Sequence, residues 1–205
     1  MGLNIPQLPE LTFEEDSHTY RLDGLIIPSV TTLMKPLSQA YYGGIDAKVL
    51  GKAADRGSAV HSAIDLYSKY GVIDIEPELE GYFEAFRAWA KDFEVKPYAT
   101  ETRTYNRSLL YAGTVDMSCS EKGVDTLADF KTTASFSSML CGVQLEAYDR
   151  AQESHGVKYQ NRVIIQLKKD GTYRRHTDFP PRAECWRVFT SLLNVSGFIA
   201  KYSNK

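Results

Sequence analysis

The chain has 205 residues, a formal net charge of −2, 43% hydrophobic residues and 24% charged residues. That length suits one domain with a sizeable core, and the balance is ordinary for a globular protein, which excludes a disordered or fibrous chain. A net acidic chain does not coat nucleic acid through bulk positive charge, so a nucleic-acid site here needs a local basic lining or bound metal ions.

Residues 10–27 read as a short hairpin, Leu11 to Phe13 and then Thr19 to Leu22, with a turn at Asp23-Gly24. Ser29 follows Pro28 and is placed to cap a helix to about Met34. Asp46 to Tyr70 has helical periodicity, with breaks expected at Gly51 or Gly57. Val60, Ile64 and Tyr67 form its apolar stripe, and Arg56 and His61 lie to the side. Lys48, Lys52 and Arg56 recur every four residues and so share a helical face. Pro77 to Phe93 is an amphipathic helix with Tyr82, Phe83, Phe86 and Trp89 in its core stripe.

Three antiparallel strands follow, near 95–105, 109–118 and 124–131, with a turn at Glu121-Lys122-Gly123 between the last two. A helix from Ser137 to Ser154, strands at 159–168 and 172–178, and a closing helix from Arg182 to about Tyr202 complete the chain. Lys168, Lys169, Arg174 and Arg175 flank the Asp170-Gly171 turn, as a phosphate-binding set or a solvated hairpin tip. Strands set between helices point to an α+β fold with a central mixed sheet.

The chemistry concentrates between Gly113 and Tyr148. Asp116 in G-T-V-D is followed by Asp129 and Lys131 in D-F-K. Asp129 and Lys131 are two apart on a strand, so both leave one face while Phe130 enters a core. Carboxylates are the ligands that Mg²⁺ and Mn²⁺ prefer. Such an ion lowers the pKa of water and neutralises phosphate oxygens, and a lysine beside it adds fixed positive charge where a transition state becomes negative. Gln144 and Tyr148 are i and i+4 on a helix and share a face; the amide suits a phosphate or base, and the ring suits stacking. Taken singly, His61, Gln144 and Tyr148 read as ordinary structural residues; the combination carries the inference.

In order, the chain presents R-G-S-A-V-H ending at His61, Glu101 on a strand, G-T-V-D, D-F-K and Q-L-E-A-Y. This series resembles the PD-(D/E)XK nuclease superfamily and, within it, the RecB-like branch. The segment from His18 to Gly24 followed by Ile27 to Thr32 resembles the start of phage and prophage exonucleases of that branch, and of the mitochondrial genome maintenance exonuclease. Val115 stands where the superfamily name places Pro, as is common among RecB-like members.

The resemblance implies a restriction-endonuclease-like core over 46–205, with residues 1–45 as an N-terminal hairpin and helix appendage. It implies Mg²⁺ or Mn²⁺ held by His61, Asp116, Asp129 and the backbone carbonyl of Phe130. Lys131 would be catalytic, and Glu101 would either serve a second metal or sit as a solvated strand residue. Gln144, Tyr148, Arg56, Lys48 and Lys52 would contact DNA. The expected activity is exonucleolytic hydrolysis of DNA that is single-stranded or has free ends, with a recombination or single-strand-binding protein as possible partner. A flap endonuclease and a non-catalytic DNA-binding protein on the same fold are the alternatives.

Some relatives hold an iron–sulfur cluster on four cysteines. This chain has Cys119, Cys141 and Cys185, dispersed and without C-x-x-C, so no cluster is expected. Dispersed, odd cysteines also suit a reducing cytoplasm. The first residues lack the basic and apolar regions of a signal peptide. Pro6 spoils a myristoylation signal on Gly2, and no run approaches the roughly 18 apolar residues of a membrane span.

Overall fold

Strand alternation and helix periodicity resolve into two sheets and six α-helices over the described residues, 2–203 of a computed structural model. The first sheet joins β1 (Leu11–Glu14), β2 (Thr19–Leu22) and β3 (Leu25–Ile27) in antiparallel order. The third strand extends the expected hairpin. It lacks a sequence signal because Leu25 and Ile26 face solvent and only Ile27 is buried. Ser29 caps α1 (Val30–Leu33), its hydroxyl accepting from the Thr32 amide at 3.0 Å. A further helix not foreseen in the sequence, α2 (Lys35–Tyr42), follows and buries none of its residues fully, so it offers no clear apolar stripe.

Helix α3 (Ala47–Tyr70) begins at Asp46, whose carboxylate accepts from the amides of Lys48 and Val49. It runs unbroken through Gly51 and Gly57, contrary to the expected break. A helical glycine costs only about 1 kcal/mol against alanine, and burial of Val60, Ala63 and Ile64 holds the helix down beyond them. A short 3₁₀ turn (Pro77–Leu79) leads into α4 (Glu80–Asp92), which buries Tyr82, Phe83, Phe86 and Trp89 as its pattern foretold.

The main sheet is ordered β4 (Lys96–Tyr105), β5 (Ala112–Glu121), β6 (Val124–Lys131), β7 (Asn161–Leu167) and β8 (Tyr173–His176). All neighbours are antiparallel except β6 and β7. Those two are parallel and need a crossover, which α5 (Ser138–Glu153) supplies. Lys122 and Gly123 carry φ of 47° and 87° and form the two-residue turn whose twist suits a hairpin. β5 starts three residues later than the sequence suggested, because Leu109 and Leu110 are exposed in the turn before it.

Each sheet face has its own core. On one, Val115, Leu127 and Ile164 pack with Leu145 and Tyr148 of α5, Phe189 of α6 (Arg182–Tyr202), and Val30 and Leu33 of α1. On the other, Met117, Ala128, Phe130 and Ile165 pack with Val60 and Ile64 of α3 and Phe86 and Trp89 of α4. The result is a mixed α+β arrangement with helices on both faces of a five-stranded sheet.

Residues 2–45 are more integral than an appendage. Val30, Leu33 and Met34 enter the α5 core, Leu11, Tyr20 and Ile27 bury Tyr105 and Ala112, and the Tyr20 hydroxyl bonds Thr114 Oγ1 at 2.8 Å. Among the described residues no helix is long and apolar enough to cross a membrane.

Candidate active site

The site forms where β5 loses its alternation. Val115 belongs to the α5 core and Met117 to the α4 core, yet residues two apart on a regular strand share a face. The slip falls on Asp116. Opposite it, Glu101 lies between the Thr100–Met117 and Thr102–Val115 pairs with φ of 45°, a strained left-handed conformation for a glutamate. The β5–β6 ladder ends at Met117–Ala128, and beyond it Asp116 Oδ2 accepts from the Phe130 amide at 2.8 Å. A side chain thus replaces the next backbone partner, and the two strands part.

Helix α3 delivers His61 into that parting, beside its buried Val60 and Ile64. His61 Nε2 donates to the Phe130 carbonyl at 3.1 Å. Its Nδ1 lies 3.5 Å from Asp116 Oδ2 and 3.6 Å from Glu101 Oε1. One donor atom from each of His61, Glu101 and Asp116 falls within 4.8 Å of the others. Burial opposes charge on His61, but the Asp116 and Glu101 carboxylates outweigh it and lift its pKa to about 9. Burial likewise pushes Asp116 above the ordinary carboxylate range, against the pull of His61. Carboxylates directly opposed across two strands repel, so this corner attracts a cation.

Asp129 and Lys131 share the other face of β6, as their spacing required, while Phe130 packs against Phe86 and Trp89 at ring separations of 5.6 and 5.7 Å. Lys131 Nζ lies 2.6 Å from Asp129 Oδ2 and donates to Gln144 Oε1 at 3.2 Å. Despite that short ion-pair distance, the buried Asp129 Oδ2 receives no well-directed hydrogen bond. Burial raises the Asp129 pKa to about 6, against the lowering charge of Lys131. Burial also opposes charge on Lys131, but Asp129 overrides it and keeps the ammonium protonated.

The structure arranges several of the sequence-derived site residues differently from the expectation. The three donors that converge are His61, Glu101 and Asp116, with Asp129 turned toward Lys131. Gln144 and Tyr148 do share a face, but Tyr148 is buried and accepts from Gln144 Nε2 at 3.2 Å, so the pair supports Lys131 from behind and presents no open stacking ring. Arg56 spends its fork on Thr132, reaching Oγ1 at 3.4 Å and the carbonyl at 3.3 Å, and so braces the segment leaving β6. Lys48 and Lys52 are exposed near the start of α3, outside the cleft described next. Arg175 pairs with buried Glu121 at 2.8 Å, which removes it from any phosphate-binding set.

The cleft over His61 has a volume of about 660 Å³ and is lined by α3, the β1–β2 hairpin and the β4–β5 floor. Arg103 and Thr114 line it too, and the sequence reading passed over both. Arg103 stands two residues after Glu101 on β4, a period-two spacing that could have drawn attention to it.

Gly113 is the tight spot of this floor. A Cβ there would fall 2.5 Å from Tyr148 Cε1. Gly113→Ala is expected to displace Tyr148 and cost about 1–3 kcal/mol, the usual range for overpacking. Urea unfolding measures it; an unchanged midpoint would show that the glycine is not needed for this approach.

No family model and no curated protein matches the chain. A solved structure described as "Crystal structure of SSO0001" is similar over 80% of this chain and 84% of its own, with 12% identity and a TM-score of 0.35. A likeness so loose carries no inference about activity.

Proposed function

We propose that the chain is a metal-dependent deoxyribonuclease of the PD-(D/E)XK superfamily, RecB-like branch, degrading DNA from its ends. The observation that carries this reading is the convergence of His61, Glu101 and Asp116, the first two lining a cleft, beside the buried Asp129–Lys131 pair.

The donor set fits the ion class. Two carboxylates suit Mg²⁺ or Mn²⁺, and the imidazole favours Mn²⁺. Asp129 has a buried oxygen that lies 2.6 Å from Lys131 Nζ yet receives no well-directed hydrogen bond, and the Phe130 carbonyl is the further ligand that the family resemblance implies. When bound, the ion supplies a Lewis acid and a lowered pKa for water. His61 must give up its proton to ligate, so proton and cation compete for that ring. Lys131 Nζ, fixed by Asp129 and Gln144, places positive charge next to the carboxylates where a phosphate would gain negative charge. Arg103 in the cleft wall attracts the DNA backbone, whereas Lys69 is held by Asp65 at 2.7 Å.

Digestion of end-labelled linear DNA and covalently closed circular DNA in Mn²⁺ tests the proposal. Linear DNA is expected to be degraded and closed circles to survive. Rapid conversion of supercoiled plasmid to a single linear product would assign a site-specific endonuclease instead. Failure to digest any DNA in Mn²⁺ would refute the reading.

A further inference from the structure

One wall of the cleft takes no part in holding the charged centre. It belongs to the β1–β2 hairpin. Phe13 packs against Tyr20 with ring centroids 4.5 Å apart and meets His18 edge-on at 5.1 Å. His18 Nε2 lies 3.4 Å from Thr31 Oγ1, which fastens the hairpin tip to α1. The Arg103 guanidinium lies over the Phe13 ring at 5.6 Å. Arg103 is exposed and makes no ion pair with any described residue. Glu15 in the same wall repels phosphate, so a strand must enter on the Arg103 side.

We propose that this wall binds single-stranded DNA: a base stacks on Phe13, and Arg103 swings off the ring to hold the adjoining phosphate. The inference rests on the nuclease reading above and names the form of its substrate. Magnitudes favour the exchange. A base stacked on an aromatic ring gains more than the exposed cation–π contact that it replaces. Arg103 also gains a charged partner, which no described residue gives it.

Duplex DNA cannot use the wall in this way, because its bases are stacked and paired internally. A duplex end would therefore have to fray before entering.

Fluorescence anisotropy in Ca²⁺ tests the proposal, with a short labelled oligothymidine and a blunt duplex closed by hairpins as probes. Phe13→Leu keeps an apolar plug in the hairpin, and Arg103→Gln changes an exposed residue, so both should fold; thermal melting checks this. Each is expected to weaken oligothymidine binding roughly tenfold while leaving Mn²⁺ affinity as in the unaltered protein, and Phe13→Leu should leave the weak duplex binding unaltered as well. Arg103→Gln should also lower the salt dependence by about one counterion.

Unaltered oligothymidine binding in both variants would overturn the proposal, as would duplex binding as tight as single-strand binding. If the unaltered chain digests linear DNA but the variants bind oligothymidine normally, the stacking wall is wrong and the nuclease reading stands. If the unaltered chain neither binds Mn²⁺ nor digests DNA, the nuclease reading fails and the wall's role with it.

Discussion

Lys131→Ala should slow cleavage by about 10² to 10³ at saturating DNA, the usual loss when one preorganised charge is removed from a developing anion. The ammonium is fixed from two sides, by Asp129 at 2.6 Å and by Gln144 at 3.2 Å. A charge held in place needs no reorganisation as the phosphate becomes more negative. DNA binding should change far less, since several contacts share that load. Single-turnover cleavage and equilibrium binding in Ca²⁺ separate the two effects. Gln144→Leu should give a milder loss, because it frees one side of the ammonium without removing the charge. Lys48→Ala and Lys52→Ala, outside the cleft, should leave the single-turnover rate at saturation unchanged. A Lys131→Ala protein that cleaves at the full rate on saturating DNA would remove D-F-K from the active site.

Much of this arrangement was legible because it is local. The two-residue spacing of Asp129 and Lys131 places them on one face whatever else the chain does, and the structure keeps them there. Gln144 and Tyr148 share a face by the same logic. His61 was legible as the polar residue beside an apolar stripe. Periodicity does not state what lies opposite a face, however. Tyr148 looked like a platform for a base, but Gly113 lets it approach so closely that the ring, though it still borders the cleft, is almost wholly buried. Arg56 looked like one of a row of phosphate contacts, but Thr132, distant in sequence, takes its fork.

Glu101 became central through a feature with no sequence signature. The left-handed backbone there and the slip at Asp116 arise from pairing between two strands, and nothing in T-E-T-R announces either. The first sheet was misjudged for a related reason. Its strands are only three or four residues long and half exposed, so they read as an ornament. Their buried members, Leu11, Tyr20 and Ile27, reach across to β4 and β5, which turns the hairpin into a wall of the cleft.

The same buried charges that suit the site to a cation should weaken the metal-free protein, and this gives the second large effect. Asp129 is almost wholly buried, and its folded pKa of about 6 exceeds the unfolded value of about 3.9. The folded state therefore binds the proton more tightly. Stability from this group is highest below about pH 4, falls as pH rises toward 6, and stays reduced above it. Two units correspond to about 2.7 kcal/mol, part of which returns as a loss when Lys131 is left unpaired.

Asp129→Asn is accordingly expected to stabilise the chelated protein by about 1 kcal/mol at pH 7, or roughly 2–4 °C in Tm, with no gain at pH 4. His61 behaves with the same sign in a higher window. Its folded pKa of about 9 means that its contribution is complete below pH 6.5 and disappears as pH rises through 9. Asp116→Asn removes the strongest carboxylate acting on that imidazole and should flatten this second decline. In Mn²⁺ the order reverses: the unaltered protein gains stability from the ion, while Asp116→Asn combined with Asp129→Asn should lose more than about a hundredfold in affinity, beyond the 10–100-fold typical of residues that only support a ligand. Thermal melts across pH in chelator, paired with Mn²⁺ calorimetry, test both halves. An Asp129→Asn protein that melts lower than the unaltered protein in chelator at pH 7, or a double variant that binds Mn²⁺ equally well, would show that these carboxylates are held for structure and not for a cation.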